Sequence, residues 1–94
     1  MYETQLEFRG ISRELVIEYL LSIAELTTTS IISNADGSVT IPSKDWMVTL
    51  SEVESFSIVP TVVIPRFFIS FTGDETKILD TIQKLRVRTL RTGG

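Results

Sequence analysis

The sequence predicts an α+β domain in which two helices cover one face of a curved antiparallel sheet. Several segments alternate between apolar and polar residues, which predicts strands because successive side chains of a strand point to opposite faces. Two further segments carry apolar residues at helical spacing, one near each end of the chain. Turn residues separate these segments and give the predicted order β-α-β-β-β-β-α.

The first strand is predicted over residues 2–9, and the first helix follows it closely. Gly10 interrupts the alternation of the strand, and Ser12 is placed to cap the amino terminus of the helix. Side chains expected on the inner face of the strand are Tyr2, Thr4, Leu6 and Phe8. Those expected on the apolar face of the helix are Leu15, Val16, Tyr19, Leu20 and Ile23.

The middle of the chain predicts a hairpin followed by a longer strand. Residues 28–33 and 38–41 are the predicted arms of the hairpin, because residues 34–37 form a turn-like Asn-Ala-Asp-Gly sequence. The longer strand begins at Trp46. Its alternation becomes irregular at residues 52–54, where we expect a β-bulge or a bend.

The last strand is predicted over residues 61–72 and the last helix after Asp74, which is placed to cap it. Inward-facing strand residues are predicted to be Val63, Phe67, Ile69 and Phe71. The apolar stripe of the helix is predicted to be Ile78, Leu79, Ile82 and Leu85. Residues 1–94 are therefore expected to form a single domain with a short flexible tail at residues 91–94.

Composition excludes several classes of function. The chain has no cysteine and no histidine, which removes disulfides, thiolate metal sites and nucleophilic mechanisms built on Ser–His or Cys–His pairs. A net charge of −3 disfavours binding to nucleic acid or anionic membranes. No segment approaches the roughly 20 apolar residues that span a bilayer. We therefore expect a cytoplasmic protein that is not an enzyme, with no catalytic residue, metal site or cofactor.

Four segments form a pattern of apolar positions and turns: residues 14–20 (Glu-Leu-Val-Ile-Glu-Tyr-Leu), residues 46–54, the Ile64-Pro65 break, and residues 69–73. This pattern resembles the carboxy-terminal domain of MoaD-related proteins, which follows a ubiquitin-fold sulfur carrier of molybdopterin synthesis. The resemblance covers most of the chain. It implies a TBP-like β-α-β4-α fold and a link to molybdopterin cofactor biosynthesis, but it does not imply a catalytic activity, because the family module has no established role.

The sequence ends in Gly93 and Gly94, which suggests a carrier function. Ubiquitin-like modifiers and sulfur carriers end in Gly-Gly because a tail without side chains can enter the narrow channel of an adenylating enzyme. The alternative is a frayed end of the chain, which is common in folded domains. Here the pair follows a predicted helix rather than the last strand of a β-grasp fold, so the second interpretation is favoured.

An interaction surface is the functional hypothesis that the residues favour. Phe67 and Phe68 are neighbours in a strand and must face opposite sides of the sheet. Phe68, together with Val62 or Ile64, is predicted to lie on the sheet face that the helices leave uncovered. An apolar patch there suits a homodimer or a protein partner. A third hypothesis is a small apolar ligand held between the sheet and a helix.

Charged residues give weaker indications. Five of the nine cations lie in the last helix or the tail, where they can bind phosphate or stabilise the helix dipole: Lys77, Lys84, Arg86, Arg88 and Arg91. No aromatic residue lies among them for base stacking, which favours the dipole interpretation. The pairs Glu52 with Glu54 and Asp74 with Glu75 lack the spacing of a calcium loop, and we interpret them as exposed charges.

Overall fold

The computed structural model describes residues 1–93, with the side chains of residues 56, 58 and 91–93 excepted. Within this range the chain is α+β, with an unclosed antiparallel sheet of six strands and two α-helices. In chain order the elements are β1 (Tyr2–Arg9), α1 (Arg13–Ala24), a short 3-10 helix (Thr28–Ser30), β2 (Ile32–Ser33), β3 (Val39–Pro42), β4 (Trp46–Leu50), β5 (Glu54–Val59), β6 (Val62–Gly73) and α2 (Glu75–Gly93).

Strand β6 is the centre of the sheet. The strand order is β1-β6-β4-β3-β2, and β5 also pairs with β6. On one side β6 bonds to β1 over the full length of β1. On the other side the carboxy-terminal part of β6 bonds to β4 and its amino-terminal part bonds to β5. Between these two parts Ser51 N–H donates to the carbonyl of Phe68 at 2.9 Å.

A β-bulge joins β4 and β5 into one bent strand. Leu50 lies opposite Ile69, and Glu54 lies opposite Arg66, so four steps along one strand match three steps along β6. One extra residue on one strand is the definition of a bulge. The irregularity predicted at residues 52–54 is therefore confirmed, and it explains why the sheet has six strands where the sequence predicted five.

Both helices pack on the same face of the sheet. Phe67, Ile69 and Phe71 of β6 are fully buried there, whereas the alternate residues Phe68 and Ser70 are partly exposed on the open face. The alternation predicted for this part of β6 is thus confirmed. The same core contains Val16, Leu20 and Leu21 from α1, Ile41, Val48 and Leu50 from β3 and β4, and Ile78, Ile82 and Leu85 from α2.

Polar side chains cap the two helices at their amino termini, as predicted. The hydroxyl of Ser12 accepts a hydrogen bond from the backbone N–H of Leu15 at 3.1 Å. The carboxylate of Asp74 accepts one from the N–H of Lys77 at 3.0 Å. Each bond satisfies a donor that has no partner within its own helix, so these caps fix where the helices begin.

Residues 28–33 differ from the prediction of a strand. Thr28–Ser30 form a 3-10 turn, and only Ile32–Ser33 pair with β3. The turn is closed by hydrogen bonds from Ser30 N to Thr27 O and from Ile31 N to Thr28 O. The hydroxyls of Thr27 and Thr29 lie 2.7 Å apart. Local bonding of this kind competes with extended structure, which is why the β-branched threonines do not form a strand.

Two predicted core residues are exposed. Leu79 follows the buried Ile78 directly, and successive residues of a helix are rotated by about 100°, so the side chain of Leu79 points away from the sheet and is 47% exposed. Val63 is 57% exposed although it lies on the same strand face as Phe67, because it lies in the part of β6 that extends beyond the end of β1. Helix α2 continues to Gly93, and Gly94 lies outside the described residues, so the flexible tail at residues 91–94 stays a prediction.

Arg13 connects the start of α1 to two loops of the sheet. Its Nη1 donates to the carbonyl of Gly37 at 2.8 Å and to the carbonyl of Ser51 at 3.0 Å. Gly37 belongs to the turn between β2 and β3, and Ser51 opens the bulge. One side chain therefore holds together three segments that are far apart in sequence.

We expect the substitution Arg13→Ala to lower the free energy of unfolding by about 2–3 kcal/mol, because hydrogen bonds from a charged donor contribute about 1.5–3 kcal/mol. Urea denaturation measures this change. Lys44→Ala, which removes an exposed cation, is the control and should change stability by no more than about 0.5 kcal/mol. Equal midpoints for the wild type and Arg13→Ala would contradict the bridging role.

Candidate interaction surface

The β5–β6 arm, defined as residues 54–66, extends beyond the rest of the sheet. Strand β1 ends with Arg9 opposite Arg66, and β3 ends its pairing with β4 at Leu50. Beyond these points β5 and β6 pair with each other, and Val59 opposite Val62 closes the tip. A bond from Gly10 N–H to the carbonyl of Pro65, at 3.0 Å, anchors the base of the arm to the chain after β1.

The arm is apolar and carries no charge between its ends. Residues 55–65 read Ser-Phe-Ser-Ile-Val-Pro-Thr-Val-Val-Ile-Pro. Val59, Val62 and Val63 are 47%, 44% and 57% exposed. Natural proteins usually protect exposed strands with charged side chains, because an open strand edge is a template for pairing with another chain. The arm lacks this protection.

Hydrogen-bond directions show which edge of the arm is open. Backbone groups alternate in direction along an antiparallel strand. Phe68 directs its carbonyl and its N–H towards Ser51, on the side of β4 and β5. Even-numbered residues of β6 therefore bond towards β5, and Glu54 is paired with one of them. It follows that Ser55 and Ser57 of β5 direct their backbone groups away from β6, towards the open edge.

A band of charged side chains lies at the base of the arm. Arg66 contacts Glu54 with Nη2–Oε2 at 2.9 Å and Glu7 with Nη1–Oε2 at 3.6 Å. Arg9 contacts the same Glu7 at 3.2 Å. The guanidinium of Arg66 also lies 5.8 Å from the ring centre of Phe68. The band separates the apolar arm from the remainder of the open sheet face.

The structure divides the predicted interaction surface into two parts. Val62 and Ile64 lie in the arm, on the side of β6 that faces away from the helices. Phe68 lies on the same side but beyond Arg66, in the body of the sheet. Val59 and Val63 were not predicted as part of the surface. The signal that could have identified them is the run of eleven residues without charge between Glu54 and Arg66.

The structure describes only one of the two glycines of the predicted carrier tail. Gly93 is the last residue of α2, and Gly94 lies outside the described residues. The helix reaches this point directly from the core, since Leu85 is fully buried two turns earlier. The carrier hypothesis therefore stays a prediction.

A groove of about 680 Å³ runs between β1 and the carboxy-terminal half of α2. Leu6, Phe8 and Ile11 contribute apolar surface to it, and Arg86 and Leu90 line it from the helix. The groove is open to solvent, whereas the largest core side chains are fully buried. Small-ligand binding stays a prediction for this molecule.

Several charged groups outside the arm make local contacts. Lys84 pairs with Asp80 one helical turn away at 3.0 Å, and Arg88 lies 6.0 Å from the ring centre of Tyr19. The hydroxyl of Ser38 donates to the carboxylate of Asp36 at 2.6 Å and its N–H donates at 3.0 Å, and these bonds lower the pKa of Asp36. Within residues 1–93, no three acidic side chains converge in an arrangement suited to a metal ion.

Glu52 and Glu54, which we interpreted as exposed charges, are both exposed and lie in different parts of the bent strand. Glu52 lies in the loop between β4 and β5, against Gly37, and Glu54 opens β5 and pairs with Arg66.

Among the helices of the described chain, none has both the length and the apolar character required to cross a membrane.

The fold and this surface define a small α+β domain with an open antiparallel sheet and a projecting apolar hairpin. Residues 4–94 match the model of the family described as archaeal MoaD-like protein, and the chain belongs to this family. Its resemblance to a MoaD-related family is thereby confirmed. Membership is consistent with a link to molybdopterin and sulfur-carrier biology. A search of the curated proteins gave no significant match, and a search of the solved structures gave none either.

Proposed function

We propose that the chain is a non-catalytic interaction module of a molybdopterin-linked system and that the β5–β6 arm is its binding element. The observation that carries this proposal is the charge-free segment 55–65, with its exposed valines and its open strand edge. An extended chain added to such an edge gains main-chain hydrogen bonds, while alternate side chains supply specificity. Family membership supports the link to the pathway.

Binding of a partner would stabilise the arm more than any other part of the described sheet. A two-stranded hairpin without a packed face is marginally stable in water. Fully burying a valine side chain contributes about 1.5 kcal/mol or more, so covering three half-exposed valines is worth a few kcal/mol. Strand β1, the opposite edge, instead carries Glu3, Glu7 and Arg9, which protect it.

The test compares two substitutions at equally exposed apolar residues on the open sheet face. Val62 is 44% exposed in the arm, and Met47 is 46% exposed in β4 outside it. We expect Val62→Lys to reduce binding of the partner at least tenfold, and Met47→Lys to leave it unchanged. Each protein, tagged at Met1, is used to capture partners from an extract of the source organism, and the captured proteins are quantified by mass spectrometry.

A molybdopterin-pathway component that is captured by the wild type and by Met47→Lys, and lost with Val62→Lys, would support the proposal. Adding that purified component should also slow amide hydrogen exchange in residues 54–66. Equal losses with both variants, or no loss with Val62→Lys, would overturn the arm as the binding element.

A sulfur-carrier function is the second candidate, because the family match extends through Gly93 and Gly94. In this chemistry an adenylating enzyme joins the Gly94 carboxylate to AMP from ATP, releasing pyrophosphate, and hydrosulfide then displaces AMP to form a thiocarboxylate. Helix α2 runs to Gly93, so its last turn would have to unwind to enter an enzyme channel. Intact-mass analysis after incubation with ATP and extract tests this candidate. An unmodified chain, identical in behaviour to one lacking both glycines, would eliminate it.

A further inference from the structure

We infer that the partner of the arm is a second copy of this chain, which pairs antiparallel along the edge of β5 about a two-fold axis. The inference rests on the proposed function, because it names the partner of the same binding element. Two arms paired along residues 54–57, before the register shift between Ser57 and Val59, form a four-stranded ribbon, β6-β5-β5-β6, and each arm gains the neighbour that it lacks within its own domain.

An antiparallel strand edge is complementary to itself. A two-fold axis brings the same surface of both copies together, so each contact occurs twice. Ser55 and Ser57 both direct their backbone N–H and C=O towards this edge. With Phe56 on the axis, Ser55 of one copy lies opposite Ser57 of the other, and each such pair exchanges main-chain hydrogen bonds.

The charge pattern permits this contact. Glu54 is the charged residue nearest the open part of the edge. With the axis at residue 55, 56 or 57, Glu54 lies opposite residue 56, 58 or 60 of the second copy, and none of these is charged. Like charges therefore do not meet in any of these registers, although directly opposed like charges would destabilise the pairing.

Other edges of the described sheet suit a second copy less well. Along β1, a two-fold pairing would place Glu3, Glu7 and Arg9 at the contact, and charges at an edge oppose such association. Strand β2 has only two residues. On the β6 side of the arm, Pro65 has no N–H and its carbonyl already accepts from Gly10. On the other open edge of the arm the same alternation leaves the backbone groups of Val63, whereas the β5 edge offers those of both Ser55 and Ser57 without charges.

The substitution Ser55→Pro tests this pairing directly. It removes an N–H that points to the open edge, and it leaves the bonds between β5 and β6 in place, as proline is tolerated at outward-facing edge positions. The matched control is Gln5→Pro on β1. The bond from Gly10 N–H to the Pro65 carbonyl shows that even-numbered residues at this end of the chain bond towards β6, so the backbone groups of the odd-numbered Gln5 face the open edge on the other side of β1. Sedimentation equilibrium over a wide concentration range measures the dimer dissociation constant.

We expect the wild type and Gln5→Pro to dimerise equally and Ser55→Pro to raise the dissociation constant at least tenfold. Ser55→Lys, which adds a positive charge to both sides of the contact, should also weaken the dimer, and added salt should restore part of the loss. Ser55→Lys keeps the inference testable if Ser55→Pro disturbs the hairpin, which circular dichroism would detect. A wild type that is monomeric at every concentration, or a dimer unaffected by both Ser55 substitutions, would overturn the inference.

The outcomes separate this inference from the proposed function. A monomeric wild type whose capture of another protein depends on Val62 would overturn the second copy as partner and retain the arm as the binding element. A dimer that survives all arm substitutions would overturn the second copy as the partner of the arm, and capture of other proteins that is unchanged by Val62→Lys would overturn the arm as the binding element as well. Species that grow beyond a dimer with concentration would also contradict the inference, because a two-fold contact is closed.

Discussion

Replacing Gly73 by alanine is expected to lower the free energy of unfolding by about 3 kcal/mol or more. Gly73 has a φ of +147°, which residues with side chains rarely adopt. A Cβ at this position would lie 2.6 Å from the carbonyl oxygen of Asp45 and 2.7 Å from the Cα of Trp46. Both atoms belong to the backbone, so the start of β4 would have to move, and Asp74 N–H would lose its bond to the Asp45 carbonyl.

Gly10→Ala is the matched control for this prediction. Gly10 also has a positive φ, +76°, but a Cβ there would meet nothing within 4 Å. Only the conformational penalty applies, which is about 1–2 kcal/mol for a left-handed residue. Urea unfolding of both variants gives the difference. Equal destabilisation would show that the contact with Asp45 and Trp46 is unimportant.

The second large effect is expected for Phe71→Ala, at about 3–5 kcal/mol. Phe71 is fully buried, and its ring packs edge-on against Trp46 with the ring centres 5.6 Å apart. Trp46 in turn donates from Nε1 to the hydroxyl of Thr81 at 3.0 Å, which connects β4 to α2. A cavity at Phe71 therefore weakens the contact of the helix with the sheet as well as the core itself.

Thermal and urea unfolding measure the effect of Phe71→Ala, and Met47→Ala serves as its control. Met47 lies on the neighbouring strand but faces the open side of the sheet, so its truncation should cost no more than about 0.5 kcal/mol. A loss below about 1 kcal/mol for Phe71→Ala would mean that the core collapses around the missing ring.

Elements were predictable from the sequence wherever one local signal determines the structure. The caps at Ser12 and Asp74 and the alternation in β6 are signals of this kind. Residues 27–29 carry two competing signals, because threonine favours strands and its hydroxyl also bonds locally. Local hydrogen bonding determines the structure there, and the sequence pattern alone does not indicate which of the two effects is stronger.

The arm was harder to predict because it depends on pairing between distant strands. Alternation places Val62 and Ile64 on one side of β6. Whether that part of β6 has neighbours depends on where β1 ends, and this is set by the register that puts Arg9 opposite Arg66. Such a register is a property of the folded sheet. For the same reason the exposure of Val63 could not be foreseen from its position in the strand.

The ion pair between Glu54 and Arg66 marks a place where the length of the chain can change without changing the domain. These residues face each other across the ladder, so the hairpin beyond them can be shortened or extended while both ends stay in place. Removing two residues from each strand preserves the side to which the side chains of the remaining tip point, whereas removing one from each reverses it. Insertions and deletions in the hairpin can therefore alter what it contacts in steps of two residues per strand, while the core and both helices keep their packing.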